Sequence, residues 1–295
     1  MSMEITSWHE PESGTWTYLL ADTGQRVAAV IDPVWVYNPV SGRADCSFID
    51  RVLAAVEQQG LRLEWVLETH AHADHLTAAG YIREKTGARL AIGRGICSVQ
   101  QTFVRVFNLE QVATDGSQFD RLLAEGDVLP LGSLEIRVLE TPGHTSDSIT
   151  YVVGDAAFIG DTLFNPTHGS ARCDFPGGDP GSLYDSIQKI YALPEHTRLF
   201  LCHDYPASGA DPVSAVPLAE SRKHNIHVNE TSRREEFIAM RQKRDAGLPM
   251  PRLILPSLQV NIQAGSAPQA ERNGVSYLKI PFNQTIAGIL KQAGK

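Results

Sequence analysis

The amino-acid sequence predicts an α/β protein, and two observations support this prediction. Short apolar runs typical of strands alternate with segments of helical spacing along most of the 295 residues. Polar side chains that can bind metal come directly after several of the predicted strands. Together they indicate a layered fold that carries its functional site along one edge of a sheet.

Hydrophobic spacing predicts the elements in the first half of the chain. Phe48, Val52 and Val56 share one face of a helix over residues 47–59, which Gly60 ends. The other elements expected there are two strands within 15–32, a polar loop at 34–46, a strand at 63–69, a helix at 76–86 and a strand at 88–92.

The second half continues the alternation, after a stretch at 95–126 that shows no clear pattern. A helix is expected around Leu183, Ile187 and Ile190, and another begins at Thr231. The remaining expectations are strands at 134–138, 149–153, 156–159 and 198–202, an extended Pro-rich segment at 248–258 and a strand at 275–280.

Composition excludes several classes of protein. The chain has 26 Lys and Arg against 34 Asp and Glu, a net charge of −8, which disfavours nucleic acid as a partner. No apolar run is long enough to cross a membrane, and the N-terminus lacks the features of a signal peptide. The four cysteines form no CxxC pair, so a cytoplasmic protein without a disulfide framework is expected.

The strongest chemical signal is the segment His70-Ala-His-Ala-Asp-His75. It follows a predicted buried strand and holds four potential metal ligands, which are His70, His72, Asp74 and His75. Burying so many polar groups without a cation is unfavourable. Imidazole and carboxylate together suit zinc, iron or manganese, so the segment predicts a metal site.

Three further candidates stand at the ends of other predicted strands: His144, Asp161 and His203. Taken singly, His144 is an ordinary turn residue, Asp161 a loop cap and His203 a buried core histidine. In this order after the first segment, they form a specific pattern. The chain here resembles the metallo-β-lactamase superfamily across about residues 15–205.

That resemblance implies an αββα sandwich of two mixed sheets flanked by helices. It implies a first metal site built by His70, His72, His144 and Asp161, and a second built by Asp74, His75, Asp161 and His203. We also expect a catalytic domain of this type over residues 1–265, and the last 30 residues, 266–295, look like a C-terminal appendage that packs on the same domain.

Three segments are similar to the persulfide dioxygenase branch of the superfamily. They are Arg172-Cys-Asp-Phe175, His203-Asp-Tyr205, and Leu248-Pro-Met-Pro251 followed by Asn261-Ile-Gln-Ala-Gly265. Cys173 departs from the family, whose better-known members carry Thr there.

This closer resemblance implies one Fe(II) per chain, held by His70, His144 and Asp161. His72, Asp74, His75 and His203 would then surround the ligands or hold a second metal. The implied reaction oxidises glutathione persulfide with O2 and water to sulfite and glutathione. Tyr205 is implied as a catalytic and substrate-binding residue, and Arg172 as a clamp for a glutathione carboxylate. Members of the family are often dimers, so a homodimer is the candidate assembly.

Several alternatives stay open at this level. The same ligands would serve two zinc ions in a glyoxalase II-type hydrolase of glutathione thioesters. A sensor that kept the fold without catalysis is a third possibility. Arg172 could instead pair with Asp174, and Tyr205 could be a plain core residue.

Overall fold

A computed structural model describes residues 2–207 and 209–293 of the chain. The strands in these residues are β1 Met3–Glu10, β2 Thr15–Asp22, β3 Val27–Ile31, β4 Val34–Asn38, β5 Arg43–Asp45, β6 Arg62–Leu67, β7 Leu76–Thr77, β8 Arg89–Gly93, β9 Arg121–Leu123, β10 Val128–Leu131, β11 Leu134–Glu140, β12 Ile149–Val153, β13 Ala156–Phe158, β14 Arg198–Phe200 and β15 Ala215–Pro217. The helices are α1 Ser47–Gln58, α2 Ala79–Thr86, α3 Ile96–Phe107, α4 Pro180–Tyr191, α5 Leu218–His224, α6 Arg234–Asp245, α7 Ile254–Asn261 and α8 Ile286–Ala293.

Two six-stranded mixed sheets form the centre of the molecule. The first has the order β1-β2-β3-β6-β8-β9, and the second has the order β10-β11-β12-β13-β14-β15. Strands β3, β6 and β8 run parallel to one another, as do β13 and β14. Their carboxyl ends therefore lie at common edges, where the loops that follow them gather.

Strand β2 shows how the sheets are sandwiched between helices. Its side chains alternate, as they do in any strand. Tyr18 and Leu20 belong to the apolar core between the two sheets. Leu19 and Ala21 face the opposite way, into a core with α1, α2, α3 and α7. A third core joins the outer face of the second sheet to α4, α5 and α6. The layers are therefore those of the predicted αββα sandwich.

Four local predictions were wrong. Residues 34–46 form the hairpin β4–β5 instead of a loop, and Leu76–Thr77 pairs with β4 instead of opening a helix. The hairpin is a local pairing, whereas β7 is defined by its pairing with β4 across α1 and β6, which is distant in sequence.

The other two errors lie near the C-terminus. Residues 254–261 form helix α7 within the segment expected to be extended, because Pro256 occupies its first turn, where proline is tolerated. Residues 275–280 form no strand among the described residues; the backbone N–H of Lys279 instead donates to the Gln259 side chain.

Across residues 2–207 and 209–293, none of the helices combines the length and the apolar character needed to span a membrane.

Candidate metal centre

The predicted ligands converge because each follows a strand of one of the two large sheets. His70 comes after β6 of the first sheet, whereas His144, Asp161 and His203 come after β11, β13 and β14 of the second. All four are buried. The centre therefore lies where the loops at the ends of both sheets meet.

His70, His144 and Asp161 form one group of potential ligands. Their ligand atoms all lie within 4.8 Å of one another. The Oδ2 atom of Asp161 is 4.0 Å from Nε2 of His70 and 3.6 Å from Nε2 of His144. Two imidazoles and one carboxylate are thus presented to a common point.

A second group consists of His72, Asp74, His75 and His203. The Oδ2 atom of Asp74 lies 3.2 Å from Nε2 of His203 and 3.4 Å from Nδ1 of His75. Asp161 connects the two groups, because its Oδ1 atom is 3.4 Å from Nε2 of His203.

The donor atoms fit a bound cation. Nε2 of His70, Nε2 of His203 and Oδ1 of Asp161 are buried, yet none finds a hydrogen-bond partner within the part of the chain that the structure describes. Burial, together with the neighbouring rings of His72 and His144, lowers the pKa of His70 well below its usual value. A neutral imidazole is the form that binds a metal, so this environment favours coordination.

Hydrogen bonds to the far side of each ring fix its orientation. Nδ1 of His144 donates to the carbonyl oxygen of Arg172 at 2.7 Å, which leaves the Nε2 lone pair for a metal. Nδ1 of His70 lies 3.0 Å from the hydroxyl of Thr69. The hydroxyl of Thr15 contacts Nδ1 of both His75 and His203, each at 3.3 Å.

Asp32, which the sequence analysis did not select, organises the start of the histidine segment. Its carboxylate accepts hydrogen bonds from the backbone N–H and the hydroxyl of Thr69, at 2.8 and 2.9 Å. It also lies 3.1 Å from Nε2 of His72. Asp32 directly follows the buried strand β3, which is the same sequence signal that identified the other candidates.

His72 differs from the other histidines because its Nε2 atom faces two buried carboxylates, Asp32 at 3.1 Å and Glu68 at 3.6 Å. Burial alone would lower the pKa of His72, but the two carboxylates outweigh it and hold this pKa well above its usual value. Its Nδ1 atom is the one left for the centre.

A buried ion pair on α6 supports the segment that orients His144. Arg241 and Asp245 pair with each other in the interior. Arg241 donates to the carbonyl oxygen of Ser170, and Asp245 accepts from the backbone N–H of Cys173 at 2.8 Å. The carbonyl that binds His144 belongs to Arg172, between these two attachment points.

A cavity of about 610 Å³ opens onto the centre. This volume is within the range of about 300–1,000 Å³ that is typical of small-molecule sites. His144, Asp161, Asp74 and His75 are part of its wall. The rest of the wall combines apolar and aromatic side chains with charged groups of both signs, among them Trp35, Phe164, Phe175, Leu248, Arg241, Arg244, Arg252, Glu10 and Glu12.

Arg172 and Tyr205 both line this cavity. The Arg172 guanidinium makes two 2.6 Å hydrogen bonds to Asp174 and a third to the carbonyl oxygen of Pro249, so the pairing that the sequence left open is observed. Tyr205 is 54% exposed and its ring stacks on that of His203, so it is not a core residue. Their roles toward a substrate stay predictions.

Comparison with known proteins agrees with this architecture. Residues 11–203 match the model of the metallo-beta-lactamase superfamily. The chain is 48% identical over 292 residues to a probable metallo-hydrolase of Burkholderia pseudomallei, covering 95% of this chain and 99% of that protein. It is 43% identical to Glyoxylase B2 of Dictyostelium discoideum, covering 95% of this chain and 97% of that protein.

Persulfide dioxygenases are also among its relatives. The mitochondrial persulfide dioxygenase ETHE1 of Bos taurus is 31% identical, over 87% of this chain and 86% of that protein. The crystal structure of ETHE1 from Myxococcus xanthus superposes with a TM-score of 0.72 at 34% identity, covering 90% of this chain and all of that one. The chain belongs to the metallo-β-lactamase superfamily and, within it, is a homologue of the persulfide dioxygenases.

Proposed function

We propose that the chain is an Fe(II)-dependent dioxygenase that oxidises glutathione persulfide with O2 and water to sulfite and glutathione. The observation that carries this proposal is the composition of the first ligand group. The ligand atoms of His70, His144 and Asp161 lie close together. The ring nitrogens of His72 do not belong to this group but lie close to potential ligand atoms of other residues. Two histidines and one carboxylate are the facial set of non-haem Fe(II) oxygenases, which leaves coordination positions open.

The three ligands would hold Fe(II), which when bound supplies redox chemistry with O2 and a Lewis-acid position for a persulfide sulfur. The chain's own residues prepare this position. Asp32, Thr69 and the carbonyl oxygen of Arg172 fix the ligand rings before any substrate arrives. The centre is therefore preorganised by the protein.

The cavity fits a substrate of this class in size. Glutathione is a small peptide with two carboxylates, and Arg244 supplies positive charge along the wall, whereas Arg241 and Arg252 are paired with Asp245 and Glu12. Phe164 and Phe175 cover the wall near the ligands with apolar surface. We propose Tyr205, stacked on His203, as a hydrogen-bond donor to the substrate, and Arg172 as a part of the glutathione site held in place by Asp174.

A metal and activity assay tests the proposal. The protein is reconstituted anaerobically with Fe(II), its metals are counted, and O2 consumption is followed with glutathione persulfide. We expect one iron per chain and sulfite formation that stops without O2. Two metal ions per chain with thioester cleavage that proceeds without air would overturn it.

The alternative is a glyoxalase II-type hydrolase of glutathione thioesters with two metal ions. The specific observation in its favour is the second group, which offers His72, Asp74, His75 and His203 next to the first group. Glyoxylase B2 also has a higher sequence identity to this chain, 43%, than the persulfide dioxygenase of Bos taurus, which has 31%. The same assay, run with a glutathione thioester, separates the two functions.

A further inference from the structure

One buried amide on α7 holds the loop that carries four of the candidate ligands. We define the ligand loop as residues 70–77. The Asn261 side chain donates from Nδ2 to the carbonyl oxygens of His72 at 2.8 Å and His75 at 2.9 Å. Its Oδ1 atom accepts from the backbone N–H of Thr77 at 2.9 Å. The nitrogen and the oxygen of this amide thus both form hydrogen bonds with the backbone of a single loop.

The ligand loop needs such a partner because most of it is not part of a regular element. Residues 70–75 lie between β6 and β7, outside both helix and sheet. A buried carbonyl or N–H without a hydrogen bond is costly, and such a loop cannot supply partners from a strand ladder. Asn261, itself only 3% exposed, supplies three of them at once.

Close packing sets the position of Asn261 relative to the loop. Gly265, which follows α7, has a φ of +79°, and Gly80 of α2 lies against it. A Cβ atom on Gly80 would stand 2.7 Å from the carbonyl oxygen of Gly265. The end of α7 therefore sits directly on the backbone that follows the ligand loop.

We infer that Asn261 is a positioning residue for the metal centre: it fixes the backbone of the ligand loop so that His72 and His75 are presented correctly. This gives a physical role to the Asn261–Gly265 segment. The sequence analysis had noted this segment only for its similarity to the persulfide dioxygenases. The inference rests on the proposed metal centre, but it holds equally for a mononuclear or a dinuclear one.

Gln259 provides a matched control on the same helix. It is also a fully buried amide, and its side chain binds the N–H and carbonyl of Lys279 and the carbonyl of Leu255. It therefore ties α7 to the C-terminal segment rather than to the ligand loop. Asn261→Ala and Gln259→Ala each remove one buried amide, but only the first releases the loop.

The test is anaerobic titration of metal-free protein with Co(II), followed by visible absorption, which reports both affinity and coordination geometry. Urea denaturation of the metal-free variants measures their folding stability separately. We expect Asn261→Ala to bind Co(II) at least tenfold more weakly and with an altered spectrum. We expect Gln259→Ala to bind within twofold of the unchanged protein, even if it is less stable.

If Asn261→Ala does not fold, Asn261→Asp replaces it in the Co(II) titration. It keeps the acceptor for Thr77 but loses both donors, so we expect weaker Co(II) binding here too. Affinity equal to that of the unchanged protein, or an equal loss in both the Asn261 and Gln259 variants, would overturn the inference alone. An unchanged protein that binds no Co(II) would overturn the proposed function and the inference together.

Discussion

At the residue scale, Asp161 has a special place because its two carboxylate oxygens face different ligand groups. Oδ2 approaches His70 and His144, whereas Oδ1 approaches His203. A single carboxylate is therefore within reach of both groups. Its loss should remove a ligand and also leave nearby imidazoles without their negative partner.

We expect Asp161→Ala to bind iron at least tenfold more weakly and to lose turnover of glutathione persulfide. Metal analysis after desalting and O2 consumption measure the two effects. Asp155→Ala is the control, because Asp155 pairs with Arg198 on the surface, where an ion pair contributes about 0–1 kcal/mol. Full iron content and full turnover in Asp161→Ala would show that the ligand assignment is wrong.

The seven candidate ligands could be named from the sequence, since each follows a strand and has ligand chemistry. Their division into groups could not be worked out from the residues alone; the family resemblance implied the set His70, His144 and Asp161. The separation of His72 from the first group depends on distances across the two sheets. The role of Asn261 could not be predicted from the sequence either, because its hydrogen-bond partners are 184 to 189 residues away.

At the element scale, the turn that presents His144 depends on its contact with helix α4. Gly143 has a φ of +137°, a conformation that favours glycine. A Cβ atom there would stand 2.3 Å from the backbone of Leu183, at the start of α4. The turn and the helix are therefore packed together with no room for a side chain.

We expect Gly143→Ala to lower the free energy of unfolding by about 2–4 kcal/mol, because it combines backbone strain with overpacking. It should also weaken metal binding, since His144 is the next residue. Urea denaturation and metal titration measure these effects.

The matched control is Gly126→Ala. Gly126 has a φ of +79° but open space around its Cβ position, so strain alone should cost about 1 kcal/mol. Equal losses in the two variants would show that the contact with Leu183 does not matter.

Elements with a strong local pattern could be predicted, as α1 and α4 show. The hairpin β4–β5 and the two-residue strand β7 could not be predicted, because β5 and β7 are both defined by their pairing with β4. The fold class followed from the pattern of elements, whereas the sandwich of two sheets followed from the family resemblance.

At the scale of the whole molecule, the metal centre joins the two sheets. His70 is carried by the first sheet, and His144, Asp161 and His203 are carried by the second. A cation held by His70 of the first sheet together with His144 and Asp161 of the second, in the native state alone, would stabilise that state by mass action. The metal should therefore contribute to folding stability as well as to chemistry.

Removal of the metal with a chelator should lower the melting temperature by several degrees. Free metal at 1,000 times its dissociation constant contributes about 4 kcal/mol. Differential scanning calorimetry of loaded and chelated protein measures the shift. Asp161→Ala, which lacks a shared ligand, should show a much smaller one. Identical melting of the loaded and chelated protein would contradict a metal that bridges the sheets.

The hydrogen bonds of Asn261 also bear on how the protein matures during its synthesis. The ribosome adds Asn261 186 residues after His75, the last histidine of the loop that it holds. During synthesis, the ligand loop is therefore present long before the residue that holds its backbone. If our inference holds, a chain that stops before α7 would keep the side chains of this loop but lose the amide that fixes them in place.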